Sequence, residues 1–183
     1  MIARTALAAL VSVSAAGDAW AQQAVDYARS GVSFVATQMR VPVDGAFRRF
    51  SADIRWDAAR PETSRAVIDI DVASFDMGDE TVNAEARGRD FFDASTHPRA
   101  RFESSGVKAL GDGRYEVAGR VTIKGVTRDV VVPFGVKPDG GGQVFEGRLP
   151  IRRLQFGIGE GAWRDTSVLA DEVVVRFRIV ARR

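Results

Sequence analysis

The sequence predicts an all-β protein with one substantial helix and about eight antiparallel strands. Three observations carry that expectation. Apolar and polar residues alternate along most of the chain, so nearly every strand has one apolar and one charged face. The segments between strands are short and rich in Gly, Pro and Asp, which favours antiparallel neighbours. One apolar interior and one wet exterior suit a sheet closed into a barrel, which also removes exposed edges. A two-sheet sandwich satisfies the same periodicity.

The first residues stand outside the pattern. Met1 to Arg4 gives a weakly positive start, Thr5 to Ala16 an apolar run, and Ala19-Trp20-Ala21 an A-x-A cleavage signal. Residues 1–21 are therefore expected to be a signal peptide and Gln22 the mature N-terminus. The apolar run is short of the roughly 20 residues that span a bilayer. Residues 22–183 then form one domain, expected in the periplasm.

Strands follow in order. Val32 to Thr37 alternates with Val32, Phe34 and Ala36 on one face, and Pro42 to Gly45 is expected as a turn. Phe50 to Trp56 groups Phe50, Ala52, Ile54 and Trp56 against Ser51, Asp53 and Arg55; after the Asp57–Pro61 loop, Ala66 to Val72 groups Ile68, Ile70 and Val72 against Asp69 and Asp71. Asp79 to Gly88 is the helix, acidic at its start and stopped by Gly88. The adjacent Phe91 and Phe92 then anchor it across one end of the sheet. Pro98, which has no N–H to donate, suits the start of the next strand, where Ala100 and Phe102 share a face. Gly111-Asp-Gly113 marks a hairpin, followed by Tyr115 to Ile123, a break at Gly125, Asp129 to Val136, a tight connection at Pro138 to Gly142, Val144 to Ile151, and Glu172 to Val180.

Composition excludes several chemistries. There are 26 Lys and Arg against 24 Asp and Glu, for a net charge of +2, too even a balance for a nucleic-acid binder. With no Cys and only one His (His97), thiol catalysis, disulfides and multi-His metal sites drop out. Asp69 and Asp71 share a face, but it is the polar one, and a solvated surface accounts for them better than acid–base chemistry. Gly140 to Gly142 and Gly157-Ile-Gly159 lack the strand–loop–helix setting of a phosphate loop, and no serine sits in a G-x-S-x-G elbow. A non-enzyme with no required cofactor and no metal site is expected. Inside an eight-stranded barrel there is room for packed side chains or one slim ligand. The small inward residues Ala36, Ala52, Ala100 and Gly119 allow either.

Asp90-Phe-Phe-Asp93, His97-Pro98, Arg101-Phe102-Glu-Ser104 and Gly119-Arg-Val-Thr-Ile-Lys-Gly-Val-Thr-Arg128 together resemble the hallmark run of the YceI-like family. Gly45-Ala-Phe-Arg-Arg-Phe50, Asp71-Val-Ala-Ser74, Ile151-Arg-Arg-Leu-Gln-Phe-Gly157 and Asp171-Glu172-Val173 fall in the order that family shows. The resemblance covers essentially the whole chain after the leader. It implies an exported, extended, lipocalin-like antiparallel eight-stranded barrel that binds an amphiphile, a polyisoprenoid or isoprenoid quinone, in its pore. The candidate pore lining is then Phe34, Phe50, Ile54, Ile70, Val72, Phe91, Phe92, Phe102, Val121, Ile123, Phe134, Phe156, Trp163 and Phe177. Gly157 to Trp163 and Asp165-Thr-Ser167 resemble members found beside membrane-bound b-type cytochromes, which implies such a partner. A docking module without a tightly held ligand is the alternative, and a homodimer is compatible with either. Many relatives carry His-Ser where this chain has Arg29-Ser30.

Overall fold

The structure, a computed structural model, describes residues 23–182. The expected leader and its cleavage before Gln22 lie outside the described residues. Eleven strands form one antiparallel sheet: β1 Ala24–Val25, β2 Gly31–Gln38, β3 Val41–Phe47, β4 Phe50–Arg55, β5 Arg65–Asp71, β6 Phe75–Asp76, β7 Arg99–Gly111, β8 Arg114–Ile123, β9 Val126–Asp139, β10 Gly142–Arg152 and β11 Glu172–Arg182. Bends in the chain make eleven strands out of eight runs. β1 and β2 both pair with β11. β3 and β4 are one run bent at Arg48-Arg49, and β5 and β6 are one run interrupted by a 3-10 turn at Val72–Ser74. Within those two runs β3 pairs with β6 and β4 with β5.

The eight runs follow one another around a ring, each antiparallel to the next. The last strand, β11, pairs with β2, and β2 with β3, so the circuit closes. Where the β3–β4 run bends it leaves β2, and the N-terminal run covers the gap. Gln23 N donates to Ile54 O at 3.0 Å and Ala52 N to the Tyr27 hydroxyl at 3.3 Å. The fold is thus the expected eight-stranded barrel, with a seam at β4.

One turn differs from expectation. The connection after β2 is Met39-Arg40, both left-handed (φ 47° and 68°), and Pro42 to Gly45 belongs to β3. Two left-handed residues make the tight turn whose twist matches a hairpin, even though neither is Gly or Asn. Pro42 is tolerated because β3 meets β6 only at Ala46 and Phe47, leaving its first residues as an edge. The other turns fall where Gly and Asp placed them, at Asp112-Gly113, Lys124-Gly125 and Gly140-Gly141.

The helix α1 spans Glu80–Arg87. Asp79 caps it, its Oδ1 accepting from Thr81 N (2.8 Å) and Val82 N (3.3 Å), and Gly88 ends it. Asn83 ties it down: its Oδ1 accepts from Met77 N at 2.9 Å, and its amide donates to Asp76 at 3.2 Å. Ala86, 4 % exposed, is the apolar face that α1 turns toward Phe34 and Phe75. The charged face of the sheet carries cross-strand pairs such as Arg101–Asp69 and Arg178–Glu146. Exposed pairs of this kind are worth little individually.

Candidate functional site

The inward faces do not fill the barrel. They leave an apolar cavity of about 320 Å³ that runs from α1 to the aromatic cluster around Trp56. Three inward glycines explain part of its shape. A Cβ on Gly45 would lie 2.2 Å from the Phe34 ring, one on Gly119 2.7 Å from Phe102, and one on Gly147 2.4 Å from Phe177. Each glycine therefore seats a phenylalanine ring against the wall. Gly119 does not itself open space, as a small inward residue could have done; it lets the Phe102 ring lie close to the backbone.

Of the candidate lining residues, Phe34, Ile54, Ile70, Phe91, Phe92, Phe102, Val121, Ile123, Phe134, Trp163 and Phe177 border this cavity. Phe50, Val72 and Phe156 do not. Phe50 shares the inward register of Ile54, but at the seam its ring meets Tyr27 edge-on (5.5 Å) and fills the gap there. Val72 was expected to continue the Ile68–Ile70 face. The strand stops at Asp71, whose Oδ1 accepts from Ala73 N (2.9 Å), and the 3-10 turn swings Val72 into solid packing. Phe156 sits in a second 3-10 turn, Arg153–Phe156, and packs with Val72, Ala100, Val121, Ile123 and Ile158. Both are nearly unexposed, 1 % and 2 %, as core residues and not as lining.

The α1 end is closed by three aromatic contacts and three hydrogen bonds. Phe92 meets Phe47 (5.8 Å) and Phe75 (5.7 Å), while Phe91 meets Trp163 (5.5 Å). Trp163 Nε1 donates to Glu85 Oε1 at 2.7 Å, latching the loop after β10 to α1. Asp90 O accepts from both Gly159 N and Glu160 N at 2.8 Å, holding the same loop to the Phe91-Phe92 stretch. His97 lies over the turn at Gly125, where a Cβ would come within 3.1 Å of its ring. That is a packing role.

Arg153 is the residue that sequence reasoning missed. It lines the cavity yet is 1 % exposed, and no carboxylate among the described residues pairs with it. Its guanidinium donates instead to five backbone carbonyls: Nε to Ala170 (3.0 Å), Nη1 to Ile158 and Gly159 (2.9 Å each), and Nη2 to Trp163 and Leu169 (2.6 Å each). Every donor of the group is used, so the cation gathers residues 158–170 around itself. Burial pushes its pKa below the usual arginine value, with Asp171 acting the other way. The available signal was register: Arg153 continues the odd-numbered inward positions of β10 past Leu149 and Ile151.

At the Arg29-Ser30 departure, Arg29 pairs with Asp139 at 2.8 Å. Ser30 Oγ donates to Asp26 O (2.7 Å) and accepts from Val180 N (2.9 Å), fixing the break between β1 and β2.

These features define a class of protein: an antiparallel barrel with a lidded apolar interior. The chain belongs to the YceI-like domain family, whose match covers residues 23–181. It is similar to the crystal structure of BcnA from Burkholderia cenocepacia, with 47% identity and a TM-score of 0.84 over 86% of this chain and 99% of that one. A UPF0312 protein of Azotobacter vinelandii is 35% identical over 120 residues, and the match spans 62% of each chain. A polyisoprenoid binding domain from Saccharophagus degradans shares the fold at 18% identity, with a TM-score of 0.71.

Proposed function

We propose that this protein is a non-catalytic lipid holder, exported to the periplasm, that carries or stores a polyisoprenoid or isoprenoid quinone in the barrel. The observation that carries this reading is the continuous apolar cavity walled by Phe34, Phe102, Val121, Phe134 and Phe177 and lidded by Phe91, Phe92 and Trp163. A long flexible hydrocarbon gains free energy by leaving water for such a space, at roughly 25 cal/mol per Å² of apolar surface. The Saccharophagus relative's description as polyisoprenoid-binding supports the same ligand class.

The test is titration of the purified protein with a fluorescent prenyl analogue. Saturation at one analogue per barrel is expected, with displacement by unlabelled prenol. A Val121→Trp change should fill the mid-cavity and abolish binding while the protein stays folded by circular dichroism. Binding that survives Val121→Trp would place the analogue on the surface and overturn the reading. The barrel would then be a docking module, and a membrane-bound b-type cytochrome the first partner to try.

A further inference from the structure

The end of the barrel away from α1 carries polar side chains whose hydrogen bonds the protein does not make. Trp56 Nε1, Gln143 Oε1 and Gln23 Oε1 are buried there without partners among the described residues. Trp56 follows β4 on the inward face of Ile54, its indole edge-on to Tyr115 (4.9 Å), Phe145 (5.4 Å) and Phe134 (6.1 Å). Gln143 has the inward register of Phe145 on β10, one step nearer the end, between Pro138 and Ala181. Gln23 is held beside Ile54 by its own backbone N–H. Trp56 borders both the apolar cavity and a cleft at its end, and Gln143 lines that cleft with Tyr115 and Pro138. Buried donors and acceptors are satisfied in nearly all proteins, so an unpaired set at the end of an apolar cavity calls for a partner.

We infer that this cleft seats the polar terminus of the bound lipid. The Trp56 indole donates to the ligand's oxygen, Gln143 Oε1 accepts the ligand's hydroxyl proton, and the chain runs past Phe134 and Phe177 toward Phe92. The inference rests on the lipid-holding function proposed above and adds the head-group class: a neutral group that both accepts and donates, such as a prenyl alcohol. An aldehyde or quinone carbonyl satisfies Trp56 alone. Among the described residues, no Lys or Arg lines the cleft to neutralise a phosphate.

The test measures displacement of the fluorescent prenyl analogue by geranylgeraniol, its aldehyde and the parent hydrocarbon. Wild type, Trp56→Phe and Gln143→Met are compared, with melting temperature as the folding control. In wild type the alcohol should bind about tenfold tighter than the hydrocarbon, with the aldehyde between them. Trp56→Phe should remove the aldehyde's advantage and most of the alcohol's; Gln143→Met should remove only the alcohol's margin over the aldehyde. Should Trp56→Phe fail to fold, Gln143→Met carries the test alone. Equal affinity for the three ligands in wild type, or ratios unchanged by a folded variant, would overturn the assignment and leave these atoms as the seat of a bound water. If none of the three displaces the analogue, the prenyl-lipid function falls and the head-group site falls with it.

Discussion

At the α1 end the buried guanidinium of Arg153 and the indole N–H of Trp163 are committed to Ile158, Gly159, Leu169, Ala170 and Glu85, whereas at the Trp56 end a donor and two acceptors are left unpaired. The two ends share a wall of aromatic rings and differ in what their polar groups serve. Hydrogen bonds spent within the protein build a closure. Hydrogen bonds left unmade in a buried place cost stability, and a partner from outside the chain offsets that cost. Under the proposed function the lid end serves stability and retention, and the Trp56 end recognition.

The sharpest way to break this contrast is to remove Arg153. Arg153→Met leaves five carbonyls without their donor and should cost at least about 3 kcal/mol in urea unfolding. Arg153→Lys should rescue little, since an ammonium has three donors and no planar fork. A near-neutral Arg153→Met would mean that the loop closes without its cation.

Next in size is the wall against the lid. Ile123, 7 % exposed in mid-barrel, should lose about 2–5 kcal/mol on change to Ala, lowering both melting temperature and ligand binding. Phe92→Ala, at the half-buried lid, should cost less stability while accelerating release of the fluorescent prenyl analogue. The reverse pattern, with Phe92→Ala unfolding the barrel and Ile123→Ala harmless, would make the Phe pair core and end the lid interpretation. Smaller again is Trp163→Phe, which keeps a ring against Phe91 and removes the bond to Glu85. Its stability loss should stay near 1 kcal/mol, with faster analogue release in stopped flow.

The smallest expected effect is acid sensitivity, and it does not distinguish the ends. At the lid end the Gly78 N–H, then Arg48 and Asn83, hold the Asp76 carboxyl below the usual range, and Ser167 does the same for Asp165. At the other end the Ala59 N–H lowers Asp57, and Arg29 lowers Asp139. A carboxyl lowered by folding stabilises the protein above its unfolded pKa, and that contribution is lost as pH falls through the folded value. Melting temperature should therefore hold above about pH 4 and fall below it, and Asp76→Asn should soften the fall. A melting temperature that rises on acidification would contradict these assignments.

Much of the barrel is legible in the sequence because alternation reports burial directly. The strands, the Asp79–Gly88 helix and the Gly-marked turns follow from period, caps and φ preference. The Met39-Arg40 turn is not legible, since neither residue advertises a left-handed conformation. Phe50 and Val72 fall on the expected lining because alternation assigns a face and says nothing of where a run bends or a 3-10 turn rotates it, while Phe156 enters that list only with the family motif from Ile151 to Gly157. Arg153 is easily missed for a related reason. Its partners are carbonyls of a loop without periodicity, and a lone Arg after Arg152 reads as surface. Trp56 was seen as inward, but its unpaired N–H is a fact of three-dimensional packing alone.

The most direct measurement is lipid mass spectrometry of a solvent extract of the protein isolated from its own cells. One prenyl alcohol or isoprenoid quinone per barrel, lost in the Val121→Trp variant, is the expected result, and the alcohol is the form the Trp56–Gln143 cleft favours. Protein that yields no prenyl chain, or the same yield from Val121→Trp, would contradict a lipid held inside the barrel.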